Sequence, residues 1–284
     1  LYGKANPPVT TPKVRTLTRG NSRYYVHPDT GAKVPGVTSV LGMLPKPFLQ
    51  HWTGKVVAEY AIDNLGDMVN LTLRGDRQGA IDYLKGAPRR TTAAAAELGT
   101  LAHEAFEHIA NGKDPKVSPD VVPFATLFRR MLDDTGLVVS LQEQTIYSEQ
   151  WDYAGSFDGF GHINDKPVFI DYKTTRSGVH AEVAMQLAAY RYSDVILSPD
   201  GTTSPTPKAE GGLVVHVRPE GIKVVEVDCD EDVFAFFLHL REIFRWVDGK
   251  EREVIAPVPA YSLDFDQIAA EQKTARRGRR AASA

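Results

Sequence analysis

The sequence predicts an α/β protein built on a central mixed sheet with helices against its faces. Three observations lead there. Helical and strand-like runs follow one another in the order α, β, β, β, α, β, β, α over most of the chain. The run "VFIDYKTT" starts like a buried strand at Val168, Phe169 and Ile170. Well before it, "TTAAAAELGTLAHEAFEHIANG" has the Thr-rich start, Ala-rich body and "NG" stop of a helix.

Taken in order, the first residues are rich in Pro and Thr and read as an extended arm. "RYYVHPDTGAKVPGVTSVL" reads as a hairpin, with aromatic and β-branched residues on either side of a "PDTG" turn. From "KPFLQHWTGKVVAEYAIDNL" through "RQGAIDYLKG" the spacing is helical, which makes residues 1–90 an arm, a hairpin and a mainly helical lobe. Residues 91–250 form the predicted core. Its long helix is followed by a second at "VPFATLFRRMLDDTG", then by strand-like runs in "LVVSLQEQTIYS", "YAGSFDGFGHI" and "PVFIDYKT". Helical spacing returns over "HAEVAMQLAAYRYSDVIL". A polar loop, "SPDGTTSPTPKAEGG", leads to strands in "LVVHVRP" and "GIKVVEVD" and a closing helix in "EDVFAFFLHLREIFRWVDGK". Residues 251–284 are an extension whose basic end, "KTARRGRR", lacks apolar periodicity and reads as a disordered tail.

Composition removes several classes of function. A net charge of -3 argues against a protein that coats nucleic acid by bulk electrostatics, while leaving room for a local positive groove. The single cysteine, Cys229, excludes an internal disulfide, an iron–sulfur cluster and a cysteine zinc site. No G-x-x-x-x-G-K-[ST] loop is present to hold a nucleotide cofactor. No apolar run approaches the roughly 20 residues of a membrane span, and the first residues lack the apolar core of a signal peptide. The expectation is an intracellular, cytoplasmic protein with no membrane partner.

Chemistry concentrates where the strand runs end. Asp171 and Lys173 have the period-2 spacing that puts both side chains on one face of a strand. "GSFDGF" places Asp158 between Gly155 and Gly159 on a neighbouring run. Two carboxylates and an ammonium thus meet at one end of a sheet, the donor type that magnesium and manganese select. A surface ion pair is the plainer reading of Asp171 and Lys173 alone. His103 and His108 in "HEAFEH" are five apart, where a zinc-protease helix needs four. Gln186 and Tyr190 stand at i and i+4 on one helix face.

Together these segments resemble the RecB-type branch of the PD-(D/E)xK nuclease superfamily. The matching residues are Gly99, His103 and Glu107 (G-x-x-x-H-x-x-x-E), Gly155 and Asp158 (G-x-x-D), Asp171 to Thr174 (D-Y-K-T), and Gln186 with Tyr190 (Q-x-x-x-Y). The resemblance covers residues from about 91 to 195. It implies a restriction-endonuclease-like core that cuts DNA with Mg2+ or Mn2+. It further implies that His103, Asp158, Asp171 and the backbone carbonyl of Tyr172 hold the metal and that Lys173 positions and activates the attacking water. Gln186 and Tyr190 match a helix motif that supports the site and touches DNA. Glu143 matches a glutamate that can serve a second metal, with Gln142, Gln144 and Glu149 as neighbouring alternatives. Glu107 reads equally as a solvated helix residue.

Unlike relatives that pin this domain with four cysteines around an iron–sulfur cluster, this chain has one cysteine, and it has no helicase motor. It is similar to the RecB-like exonucleases that bacteriophages encode for replication or recombination, which implies a bacterial host cytoplasm and leaves room for a partner protein. Arg89 and Arg90 are candidate phosphate contacts, with an exposed solvated pair as the default reading, and Tyr24, Tyr25, Phe48 and Trp52 are candidate stacking surfaces or core residues. Two rival readings are a catalytically idle DNA-binding or assembly protein of the same fold, and a hydrolase using Asp158 and Asp171 as acid and base. The second leaves Lys173 and His103 without a role.

Overall fold

The computed structural model describes residues 13–255 together with 266, 268, 269, 272 and 273. The Pro- and Thr-rich arm and the basic tail beyond Lys273 lie outside the described residues. Contacts group Leu1–Glu242 as one compact unit and Ile243–Ala284 as another.

The described chain opens with an antiparallel sheet of β1 (Thr16–Arg19), β2 (Ser22–Val26) and β3 (Lys33–Pro35). The expected hairpin is β2 with β3. β1 joins it through a Gly20-Asn21 turn in which Gly20 takes a left-handed φ of 56°. Four helices follow: α1 (Val37–Leu41), α2 (Phe48–Asp63), α3 (Leu65–Leu73) and α4 (Arg77–Lys85). None of the last three has a buried residue, so this part of the chain is thin rather than built around its own core.

Helix α5 (Ala87–Ala110) starts earlier than the Thr-rich segment suggested, because Pro88 fits the first turn of a helix, where no amide hydrogen is needed. The boundary expected at residue 90 therefore falls inside this helix. Arg89 and Arg90 belong to its first turns rather than to a segment before it. Helix α6 (Val122–Thr135) packs beside α5.

Two of the expected strand runs break in the middle. "LVVSLQEQTIYS" becomes β4 (Val138–Gln142) and β5 (Thr145–Ser148), and "YAGSFDGFGHI" becomes β6 (Tyr153–Ser156) and β7 (Gly159–Ile163). The breaks lie opposite each other: Glu143 N–H donates to Asp158 O at 3.3 Å, and Phe157 N–H to Gln144 O at 3.1 Å. At the break Glu143 adopts a left-handed φ of 52°, which turns the hairpin from one sheet into another. One half continues into a mixed five-stranded sheet of order β12-β11-β8-β7-β4, the other into a four-stranded sheet of order β10-β9-β5-β6.

Strand β8 (Lys166–Lys173) is central in the larger sheet, antiparallel to β7 and parallel to β11 (Gly211–Arg218), with β12 (Gly221–Val227) outside. Its alternation splits the core. Val168, Ile170 and Tyr172 face α5 and α6, where Phe106 stacks on Phe128 at 4.3 Å. Phe169, Asp171 and Lys173 take the other face, where α7 (Glu182–Arg191) packs. Each fully buried Phe or Ile here contributes roughly 1.5–3 kcal/mol through removal of apolar surface from water.

The helical spacing read through "HAEVAMQLAAYRYSDVIL" stops at Arg191. Ser193 Oγ donates to Tyr190 O at 2.8 Å, and the apolar "VIL" goes to β9 (Val195–Leu197), which pairs with β5. The polar loop contains one short edge strand, β10 (Thr203–Pro205). Helix α8 (Glu231–Arg245) and a π-helical turn, Trp246–Lys250, follow. Among the described residues no helix is long and apolar enough to cross a membrane.

Candidate metal centre

Strand β7 begins at Gly159, opposite Ile170 of β8. Beyond that point the Tyr172 amide has no β7 partner on its side of the ladder. Asp158, the residue just before β7, fills the gap: its Oδ2 accepts from Tyr172 N–H at 2.7 Å. The strand break thus leaves one carboxylate oxygen committed to the backbone and the other, Oδ1, free to face α5. His103 Nδ1 lies 3.7 Å from that Oδ1, and the His103 ring sits edge-on to Tyr172 at 5.8 Å.

Asp171 is 1% exposed and tightly held. Its Oδ1 accepts from Lys173 Nζ and from Gln186 Nε2, each at 2.8 Å. Its Oδ2 is 2.7 Å from Lys173 Nζ, so the ammonium bridges both carboxylate oxygens. Burial, then the neighbouring Asp158, push the Asp171 carboxyl up to about 6 against the pull of Lys173 and His103. An acid buried beside a second carboxylate is a group that gains from a cation.

Tyr190 completes the support. Gln186 Nε2 donates to Tyr190 Oη at 3.0 Å, and Tyr190 Oη donates to Ser156 O at 3.0 Å, tying α7 to the end of β6. Tyr190 is 2% exposed, so the DNA contact that the resemblance implies for it is ruled out by burial: it positions Gln186 and Asp171. Gln186 is half-buried.

Both glycines of the motif have steric reasons. A Cβ at Gly155 would come within 2.9 Å of Tyr190 Cε1 and of Val37 Cγ2. A Cβ at Gly99 would meet Thr174 Oγ1 at 3.1 Å, so glycine lets α5 approach the segment after β8.

Of the neighbouring candidates, Glu143 is the one that stands beside His103 and Asp158. His103, Glu143 and Asp158 place ligand atoms within 4.8 Å of one another. The left-handed backbone at Glu143 brings its side chain to the centre. Gln142 is buried, the Gln144 amide donates to Gln142 O at 3.1 Å, and Glu149 is exposed in a turn. Glu107 is 7% exposed, which removes the solvated one of its two readings.

Lys13 gave no signal in the sequence. Its Nζ lies 2.8 Å from Glu143 Oε2. Burial alone would lower its ammonium, but Glu143, then Glu107 and Asp158, hold it above the ordinary lysine value. A side chain from the start of the described chain thus brings positive charge to the acidic cluster.

Arg89 and Arg90 stand apart. Arg89 is 14 residues from His103 on one helix, or about 21 Å along its axis. The Arg90 guanidinium lies over the rings of Tyr60 and Tyr83, at 4.7 and 4.9 Å, and donates to Tyr83 O. That geometry joins α2, α4 and α5 and corrects the reading of Arg90 as a phosphate contact. Tyr24 and Tyr25 are core residues, whereas Phe48 is exposed and Trp52 half-buried.

No family model matches the sequence, and no curated protein matches it. Among solved structures, one titled "Crystal structure of SSO0001" aligns at 17% identity over 74% of this chain and 96% of that chain. Its TM-score of 0.34 is too low to carry an argument.

Proposed function

We propose that this chain is a divalent-metal-dependent deoxyribonuclease with a restriction-endonuclease-like core of the RecB type. It acts as an exonuclease in phage DNA replication, recombination or repair, in the cytoplasm of the host cell. The observation that carries the reading is the convergence of Asp158, Asp171 and Lys173, from two neighbouring strands, with His103 and Glu143 beside Asp158.

The donor set fits a hard cation. It is rich in carboxylate oxygen, three of its side chains already cluster, and buried Asp171 stands beside a second carboxylate, Asp158, which raises it. His103, Asp158, Asp171, the Tyr172 carbonyl and Glu143 would hold magnesium or manganese. Bound there, the cation supplies Lewis acidity toward a phosphate and lowers the pKa of water.

The chain's own groups do the rest. Lys173, half-buried beside Asp171, orients the attacking water and neutralises charge that develops on a phosphoryl oxygen. Tyr172 N–H fixes one oxygen of Asp158, and the Tyr190 and Gln186 pair fixes the Asp171 carboxylate, so the acids keep their positions while charge moves. An idle binding protein has no use for a carboxyl buried beside a second carboxylate, which costs stability.

The test is digestion of linear and covalently closed circular DNA, single- and double-stranded, with magnesium, manganese or EDTA. Loss of linear DNA only with metal, with circles resistant, is the expected result. Linear DNA that survives every condition contradicts the proposal.

A further inference from the structure

We propose that the groove beside the metal centre seats an unpaired stretch of the DNA strand being cut, with one base against Trp52 and a phosphate at Arg176. The inference rests on the nuclease reading and deepens it by assigning the path of the strand.

The groove has a volume of about 580 Å³, within the range of nucleotide-sized ligand sites. It lies between the first half of α5, the segment after β8 and the turn joining β11 to β12. Its lining includes Gly99 and Thr174, the residue one helical turn before His103 and the residue next to Lys173. Four residues of helix separate Gly99 from His103, about 6 Å along the axis. A strand lying in the groove therefore passes within about one helical turn of the candidate centre.

Its chemistry is sorted as a nucleotide requires. The α5 wall carries Ala95 and Ala96, and the Thr91 and Thr92 hydroxyls are spent on carbonyls of their own helix, so that wall offers a smooth apolar surface. Phe124 and Leu98 also line it, and Trp52 supplies a large aromatic surface. Bases and sugars suit such walls. The charged lining is confined to Arg176, Arg218 and Glu220. Arg218 Nε lies 3.1 Å from Glu220 Oε2, an ion-pair distance. A backbone hydrogen bond, then Arg218 and Arg176, hold the Glu220 carboxyl below its usual range, so the three charges share one cluster. Two guanidiniums against one carboxylate leave one positive charge for a phosphate.

The experiment is fluorescence anisotropy of a labelled oligothymidylate, with calcium replacing magnesium so that binding is read without cleavage, between 50 and 200 mM salt (roughly the range over which phosphate contacts register). Trp52→Ala weakens binding about tenfold, the loss of one base stack, while Trp52→Phe stays close to the native protein. Arg176→Gln lowers the slope of log K against log salt by about 0.7, the loss of one phosphate contact. Should Trp52→Ala fail to fold, Arg176→Gln carries the test, since Arg176 is exposed. If both variants match the native protein in affinity and slope while the native protein still degrades DNA with metal, the groove assignment is wrong and the nuclease reading stands. A native protein that neither binds nor degrades DNA overturns the nuclease reading, and the groove assignment with it.

Discussion

Asp171→Asn should make the metal-free protein more stable at neutral pH, although it removes a residue central to the proposed site. The Asp171 carboxyl is raised from 3.8 to about 6, chiefly by burial and by Asp158. Between those values the folded state binds more protons than the unfolded chain, so stability falls as pH rises through this window and the loss is complete above about 6. A shift of this size corresponds to about 3 kcal/mol of strain at pH 7.5, relief of which raises Tm by roughly 6–12 °C for a unit of this size. The assay is thermal unfolding in EDTA from pH 4 to 8, native protein against variant. The two should converge near pH 4 and separate up to about pH 6, with the variant higher. Added magnesium or manganese should then raise Tm of the native protein alone. A variant that is less stable than the native protein at pH 7.5, or a difference that does not change with pH, refutes the reasoning.

Further perturbations probe the rest of the site. Lys13→Gln removes the ammonium 2.8 Å from Glu143 and should tighten manganese binding about fivefold by calorimetry, because Lys13 and the cation compete for the same carboxylates. Tyr190→Phe leaves Ser156 O without the Tyr190 donor and takes from the Gln186 amide one of its two acceptors, Asp171 remaining; it should cost roughly 1–3 kcal/mol in denaturant unfolding and lower kcat more than it raises KM. Gly99→Ala sets a helix gain of about 1 kcal/mol against crowding with Thr174, so it should stabilise a Thr174→Ala background and do so less, or not at all, in the native one.

The sequence exposes those parts of the site that obey a local period. Asp171 and Lys173 share a strand face because side chains alternate, and His103 follows Gly99 by one turn because α5 is a regular helix. Gln186 and Tyr190 meet across one turn for the same reason. What stayed hidden depends on breaks and long-range contacts. Glu143 could not be separated from Gln142 and Gln144 by pattern, since a left-handed residue at a sheet junction decides which side chain turns inward. The pair of Lys13 and Glu143 spans 130 residues and has no local signature. Arg90 looked like half of a basic pair and is instead held over two tyrosines of other helices. The helical spacing around Asp194 ran past the true end of α7 because "VIL" suits either period, and pairing with β5 decided it.

The most direct measurement is the single-turnover rate of cleavage of end-labelled linear DNA by the native protein and by Lys173→Ala, with saturating magnesium. Lys173 has no structural duty beyond its contact with Asp171, so the variant should fold and bind manganese. The account predicts metal-dependent cleavage by the native protein and a loss on the order of 10²–10⁴-fold in the variant. Cleavage by Lys173→Ala at the native rate would contradict it.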